Sequence, residues 1–171
     1  MNKTRKMAIV AMIAAVYTVV SLVLAPISYG AIQCRVSEAL CMLPIIYAPA
    51  IPGVILGCFL TNLFGVITGA NSIGIIDCVV GTLATAIAAY LTYIFRNRRV
   101  KGIPLLSALM PVIVNGIMIG AELGYLFFPD NMVFGTFLSG IEVALGEIIA
   151  VVLGLVLNAL LMKTTIFKES L

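Results

Sequence analysis

The chain has 171 residues, 63% of them hydrophobic and 10% charged, with a net charge of +3 and a mean hydropathy of +1.22. A water-soluble domain of this length cannot hide that much apolar surface, so the solvent is lipid, with room for about six spans and none for a separate soluble domain. Histidine is absent and the four cysteines show no C-x-x-C spacing, so a zinc site or a disulfide framework is poorly supported and the cysteines read as small packing residues.

The first span is predicted from about Met7 to Pro26, behind the basic residues Lys3, Arg5 and Lys6. Its start resembles a signal peptide. The apolar run of about 20 residues exceeds a usual h-region, so a retained helix is expected. A polar turn, "ISYGAIQCR", leads to a second span beginning near Val36. Prolines at positions 44 and 49 must bend or end it, because proline removes a backbone donor and clashes with the preceding turn, so it looks short for a full crossing. The third span covers about Ile51 to Ile67, and "TGANS" connects it to a fourth from about Ile73 to Phe95. The basic run "RNRRVKG" follows, then a fifth span from about Pro104 to Phe128. The loop "PDNMVFG" leads to a sixth from about Thr136 to Met162.

Positive charge sets orientation, because basic loops stay in the cytoplasm. With six crossings, the groups Lys3/Arg5/Lys6, Arg96/Arg98/Arg99/Lys101 and Lys163/Lys168 all fall on one side, leaving Arg35 as the one outer basic residue. The expected fold is therefore an all-α integral membrane protein: a compact bundle of six transmembrane helices, both termini cytoplasmic, one domain over residues 1–171.

Small residues recur every fourth position, at Ala11 and Ala15, at Gly53, Gly57, Thr61, Gly65 and Gly69, at Gly116, Gly120 and Gly124, and at Gly146, Ala150 and Gly154. Such stripes let membrane helices approach closely. Internal packing is expected for the later spans, whereas the first stripe is open to internal packing or to a partner subunit.

Charge within the spans is confined to the outer half and the midplane. Arg35 and Glu38 open the second span, Asp77 lies one turn into the fourth, Glu122 and Glu142 lie within two turns of outer ends, and Glu147 sits near the middle. Intramembrane ionisable groups are functional candidates because they are costly to keep. The outward bias suits capture of a ligand from outside, with no polar exit inward, and the excess of acid suits a ligand rich in hydrogen-bond donors or cationic. Arg35 and Glu38, at i and i+3, either pair locally or point into a pocket. Asn115 and Glu122, seven apart, share a face, and ligand contact is expected for at least one of them. Glu142 and Glu147 are about 140° apart around their helix, so Glu147 is preferred for a ligand role and Glu142 is expected to pair with a neighbour such as Arg35. Asn62 is a weaker candidate and Asn158 a structural one. Tyr29, Tyr47, Phe64, Tyr125, Phe127 and Phe128 can stack on a flat ring or form an interfacial belt.

No H-E-x-x-H, serine–base constellation or phosphate-binding loop appears, so an enzyme is not expected and any ATPase must come from a partner.

The stretches "LAPISYGAIQCRVSEALCMLP", "AIPGVILGCFLTNLFG", "IIDCVVGTLATAIAAYLTY", "PVIVNGIMIGAELGY" and "ALGEIIAVVLG" resemble the queuosine-precursor transporters of the QueT family, which are membrane substrate-binding subunits (S components) of energy-coupling factor (ECF) transporters. The resemblance implies capture of a 7-deazaguanine outside the cell. A transmembrane coupling subunit and two cytoplasmic ATPases would supply energy, ATP being used by them and no cofactor being bound by this chain. It implies a multi-pass protein of the bacterial plasma membrane, in contact with lipid and not with nucleic acid, that topples to release its ligand. It also makes Ala11 and Ala15 partner-docking residues. The expected substrate-binding set is Arg35, Glu38, Asn62, Asp77, Asn115, Glu122 and Glu147: Glu147 or Glu122 takes the donor edge of the base, Asn115 reads the carbonyl, and Arg35 or Glu38 closes the lid. No family position matches Glu142. An S component for another vitamin or nucleobase, a stand-alone facilitator, and a non-transport membrane enzyme or regulatory subunit remain the alternatives.

Overall fold

The computed structural model describes residues 3–28 and 34–164. Among the described residues, five helices are long and apolar enough to cross a membrane: α1 (Lys3–Val23), α3 (Ala50–Ile67), α4 (Ile75–Ile94), α5 (Leu105–Phe127) and α6 (Met132–Leu161), with a four-residue helix α2 (Ala25–Ser28) after the first. The protein is thus an all-α, multi-span membrane bundle. Buried residues make up only 28–44% of each span, and the remaining faces carry bare Val, Leu, Ile and Phe side chains, which lipid solvates.

The expected second span takes another form. Val36–Ile45 is a 3₁₀ helix of ten residues. Its chain direction follows from its neighbours. Helices α1 and α3 are parallel: Gly53 meets Ile13, and Gly57 meets Tyr17 and Ala14. The 3₁₀ helix therefore runs back between them, from Ser37 against Ser21 at one end to Tyr47 near Arg5 at the other. At about 2.0 Å per residue, against 1.5 Å in an α-helix, the 3₁₀ geometry lets a short segment reach about 20 Å. Pro44 fits inside it at the cost of one donor.

Glycine fixes the close packing. A Cβ at Gly120 would lie 2.6 Å from the Cα of Gly140, so α5 and α6 touch backbone to backbone there. At Gly154 a Cβ would strike the carbonyl oxygen of Ala39 and the Met42 side chain, which seats the 3₁₀ helix on α6. Gly69 departs from the expected stripe: it has φ +72° with open space around it, so it shapes the turn after α3. The expected loop before α6 is also partly helical, because the Asn131 side chain accepts from the Phe134 N–H and starts the helix at Met132.

The basic residues of the N-terminus, the α4–α5 loop and the end of α6 gather at one end. Arg99 and Met162 line one groove with Ile45, and Lys6 lines another with Pro49. Arg35 lies at the opposite end, where Asp77 opens α4. Lys168 and Tyr29 lie outside the described residues.

Candidate functional site

Polar side chains inside the bundle form three connected groups near the end that carries Arg35. In the first, the Arg35 guanidinium lies 2.7 Å from Asp77 Oδ2, which also accepts from Asn71 at 2.8 Å. Asn62 donates to the Asp77 carbonyl oxygen at 2.8 Å, tying α3 to the first turn of α4. Arg35 and Asp77 are both buried, and an ion pair inside a membrane protein needs such added hydrogen bonds to offset desolvation. Neither local pairing with Glu38 nor the expected pairing with Glu142 describes this arginine. Its ion pair reaches 42 residues along the chain, and Glu142 is half-exposed.

The second group surrounds Glu38, which is 2% exposed. Its carboxylate accepts from the Tyr17 hydroxyl, from Cys41 Sγ at 2.7 Å and from Thr85 Oγ1 at 3.3 Å. The third joins α5 to α6: Asn115 Nδ2 donates to Glu147 Oε1 at 2.7 Å. Glu147 Oε2 is buried and has no hydrogen-bond partner among the described residues.

Arg35, Glu38, Gly81, Thr85, Asn115, Ile119, Val143 and Glu147 line one cleft. The space between its atoms and at its open mouth is about 300 Å³, yet it leaves room for about one water molecule. A two-ring base is several times larger, so the lining must part to admit one. Four of the expected residues, Arg35, Glu38, Asn115 and Glu147, meet here. Asn62 and Asp77 stand behind the lining, and Glu122 lies one turn beyond Ile119 on the same face of α5. Asn158 donates to the Met42 carbonyl oxygen at 2.6 Å, near the other end of the bundle.

Among the described residues, none of the expected aromatic side chains lines the cleft. Tyr125 and Phe127 are exposed, Phe64 is 42% exposed, Phe128 packs edge-on against Phe134, and Tyr47 lies by Arg5. Tyr17, Gly81, Thr85 and Cys41 were not expected. The spacing Tyr17, Thr18, Ser21 on one face of an apolar helix was the available signal, and all three are buried. Ala11 and Ala15 lie on the other side of α1, exposed. All four thiols are free and buried. Among the described residues, no group of three or more Cys, Asp or Glu is placed to hold a metal ion.

A bundle of apolar helices around a buried, acid-lined cleft defines a multi-span membrane protein with a polar interior. A family model described as QueT transporter matches residues 7–163, nearly the whole chain, and the chain belongs to that family. It is a multi-pass membrane transporter for a queuosine precursor, of the S-component type, and not an enzyme. Neither the curated proteins nor the solved structures contain a match.

Proposed function

We propose that this chain is a single six-pass S component whose basic end is cytoplasmic, and that its cleft takes the 7-deazaguanine ring of a queuosine precursor. The 3₁₀ helix supplies the sixth pass, since it returns between two parallel helices. The positive-inside rule supports the orientation, with both chain ends on the basic side. The cleft then opens toward the outer face of the bacterial plasma membrane. A coupling subunit and two ATPases complete the ECF complex.

The observation that carries the ligand is Glu147. Its Oε2 is a buried acceptor without a donor, on a cleft wall, while Asn115 fixes its other oxygen. A buried carboxylate oxygen left unpaired costs a few kcal/mol, which a ligand N–H removes. The edge of a guanine-type ring presents adjacent N–H donors that suit a carboxylate, as an arginine fork does in reverse. In a 7-deaza ring the N7 acceptor that arginine uses is gone, which fits a cleft rich in acceptors. Gly81 lines the cleft, and Arg35 and Glu38 close its outer side.

Mass spectrometry of ligand released from the gently purified protein tests this directly. A 7-deazaguanine mass is expected, and Glu147→Gln should weaken its binding at least about tenfold. A vitamin mass, or a Glu147→Gln variant that binds as tightly as wild type, overturns the assignment.

A further inference from the structure

The cleft does not account for Asn158. This residue is 5% exposed and lies three residues before the end of α6. Its Nδ2 donates to the Met42 carbonyl oxygen, which fixes the orientation of the amide, because a carbonyl can only accept. Its Oδ1 is therefore a buried acceptor, and it has no hydrogen-bond partner among the described residues. Such an atom costs free energy until a donor reaches it.

Asn158 lines a groove at the basic end, between the end of the 3₁₀ helix, the start of α5 and the last turns of α6. The groove measures about 770 Å³ with its open side, and Ile45, Ile103, Leu155, Val156 and Met162 make its floor apolar. Ile103 and Val156 are more than half exposed, so the groove faces the lipid. Arg99 lines it too. The connection that carries Arg99 is a tight hairpin. Val100 and Ile103 exchange backbone hydrogen bonds at 2.9 and 3.0 Å around Lys101 and Gly102. Those two have φ +50° and +83°, the left-handed pair that such a two-residue turn takes. Arg99 donates to the Gly102 carbonyl oxygen at 3.4 Å and is exposed. Among the described residues no carboxylate lies within ion-pair reach of Arg98, Arg99 or Lys101.

We propose that this groove binds an anionic phospholipid of the phosphatidylglycerol type. An acyl chain lies on the apolar floor, the phosphate meets Arg99, and a headgroup hydroxyl donates to Asn158 Oδ1. Charge complementarity selects this occupant. The groove joins an apolar floor to a basic, acid-free turn at the end of the bundle, as a lipid joins its chains to a phosphate at the membrane surface, and basic pockets between helix ends attract anionic headgroups. The orphan acceptor selects the headgroup. Phosphatidylcholine has neither a hydroxyl nor an N–H to offer Oδ1, whereas a glycerol headgroup has two hydroxyls.

The test is native mass spectrometry of the purified full chain, titrated with three lipids of equal chain length. These are phosphatidylglycerol, phosphatidylmethanol (anionic but without headgroup hydroxyls) and phosphatidylcholine. Wild type is expected to hold phosphatidylglycerol about tenfold more tightly than phosphatidylcholine, with phosphatidylmethanol between them. Arg99→Gln is expected to lose about tenfold for both anionic lipids and to leave phosphatidylcholine unchanged. Lys163→Gln removes an equal charge from the same end but outside the groove, and should change each affinity by less than about twofold. Equal losses in the two variants would mean diffuse attraction and overturn the site, as would equal wild-type affinity for phosphatidylglycerol and phosphatidylcholine. Equal affinity for the two anionic lipids overturns the hydroxyl contact at Asn158 and with it the headgroup. An Arg99→Gln chain that binds lipid like wild type but fails to assemble with the coupling subunit gives the groove to that partner and overturns the lipid.

Discussion

The Tyr17 hydroxyl, on the first helix, donates to the carboxylate of Glu38 on the cleft wall, 21 residues further along the chain. The tyrosine is wholly buried and backed by Gly57, where a Cβ would lie 2.7 Å from the tyrosine Cβ. The same helix presents Ala11 and Ala15 outward from its opposite side. One helix therefore holds a cleft-lining residue from one face and meets the surroundings of the bundle on another.

Replacing Tyr17 by Phe removes a donor from a buried carboxylate and leaves the packing intact. A loss of about 1–3 kcal/mol is expected, read as a lower unfolding temperature in detergent. Adding Glu38→Gln should recover part of it, because the neutral amide needs the donor less. A Tyr17→Phe variant as stable as wild type would show that the hydrogen bond contributes nothing net.

The Arg35–Asp77 pair gives a sharper contrast. Arg35→Met strands a buried carboxylate and is expected to cost about 3–5 kcal/mol. The double variant Arg35→Met/Asp77→Asn removes both charges and keeps an acceptor for Asn71, so it should be more stable than the single variant. Chemical unfolding of the three proteins checks the order, and a double variant weaker than the single one contradicts it.

The long spans were legible because they depend on composition and length alone: α3 begins at Ala50 where Ile51 was expected, and α5 at Leu105 where Pro104 was expected. The position of Glu147 was legible too, since its angle from Glu142 is fixed by helix geometry. Arg35 was not. The i, i+3 spacing to Glu38 suggested a local pair, but Arg35 precedes the 3₁₀ helix with an extended backbone, φ −83° and ψ 96°, so helical spacing does not govern its side chain. Asp77 and Tyr17 reach the site only through tertiary packing, which no local pattern encodes. The 3₁₀ conformation of Val36–Ile45 was hidden too: its apolar composition does not distinguish it from a short α-helix.

Gly81 offers a test confined to the cleft. An alanine there would press on Asp77 Oδ1 and lie 2.8 Å from Asn62 Nδ2. Gly81→Ala is expected to weaken ligand binding about tenfold or more by displacing Asp77 and Asn62, and with them Arg35 on the cleft wall. Calorimetry with the released ligand measures it, and unchanged affinity would place the ring elsewhere.

Two glycines on α5 should differ although they are four residues apart. At Gly120 a Cβ meets the backbone of Gly140 at 2.6 and 2.9 Å, and backbone cannot move aside cheaply. At Gly116 the nearest atoms stand at 3.3 and 3.4 Å. Gly120→Ala is expected to cost about 1–3 kcal/mol by forcing α5 and α6 apart, and Gly116→Ala much less. Unfolding temperatures of the two variants check this, and equal losses would mean the helices adjust as rigid bodies.

The outward face of α1 carries the proposed docking role of Ala11 and Ala15. Both are exposed, while Ile13, Ala14, Tyr17 and Thr18 fill the internal face. Leucine at positions 11 and 15 therefore leaves the buried face of α1 in place, Ala11 lying on the groove shared with Pro52 and Leu56, and suits lipid as well as alanine does. Helices in lipid gain from small residues only where another helix comes close. If the coupling subunit packs there, Ala11→Leu/Ala15→Leu should bind ligand within about twofold of wild type yet lose about tenfold or more of ATP-driven uptake. Uptake in cells expressing the complete complex, measured beside calorimetry on the isolated chain, separates the two. Full uptake by the double variant would remove this face of α1 from the docking surface, and a parallel loss of binding would show that the stripe supports the fold instead.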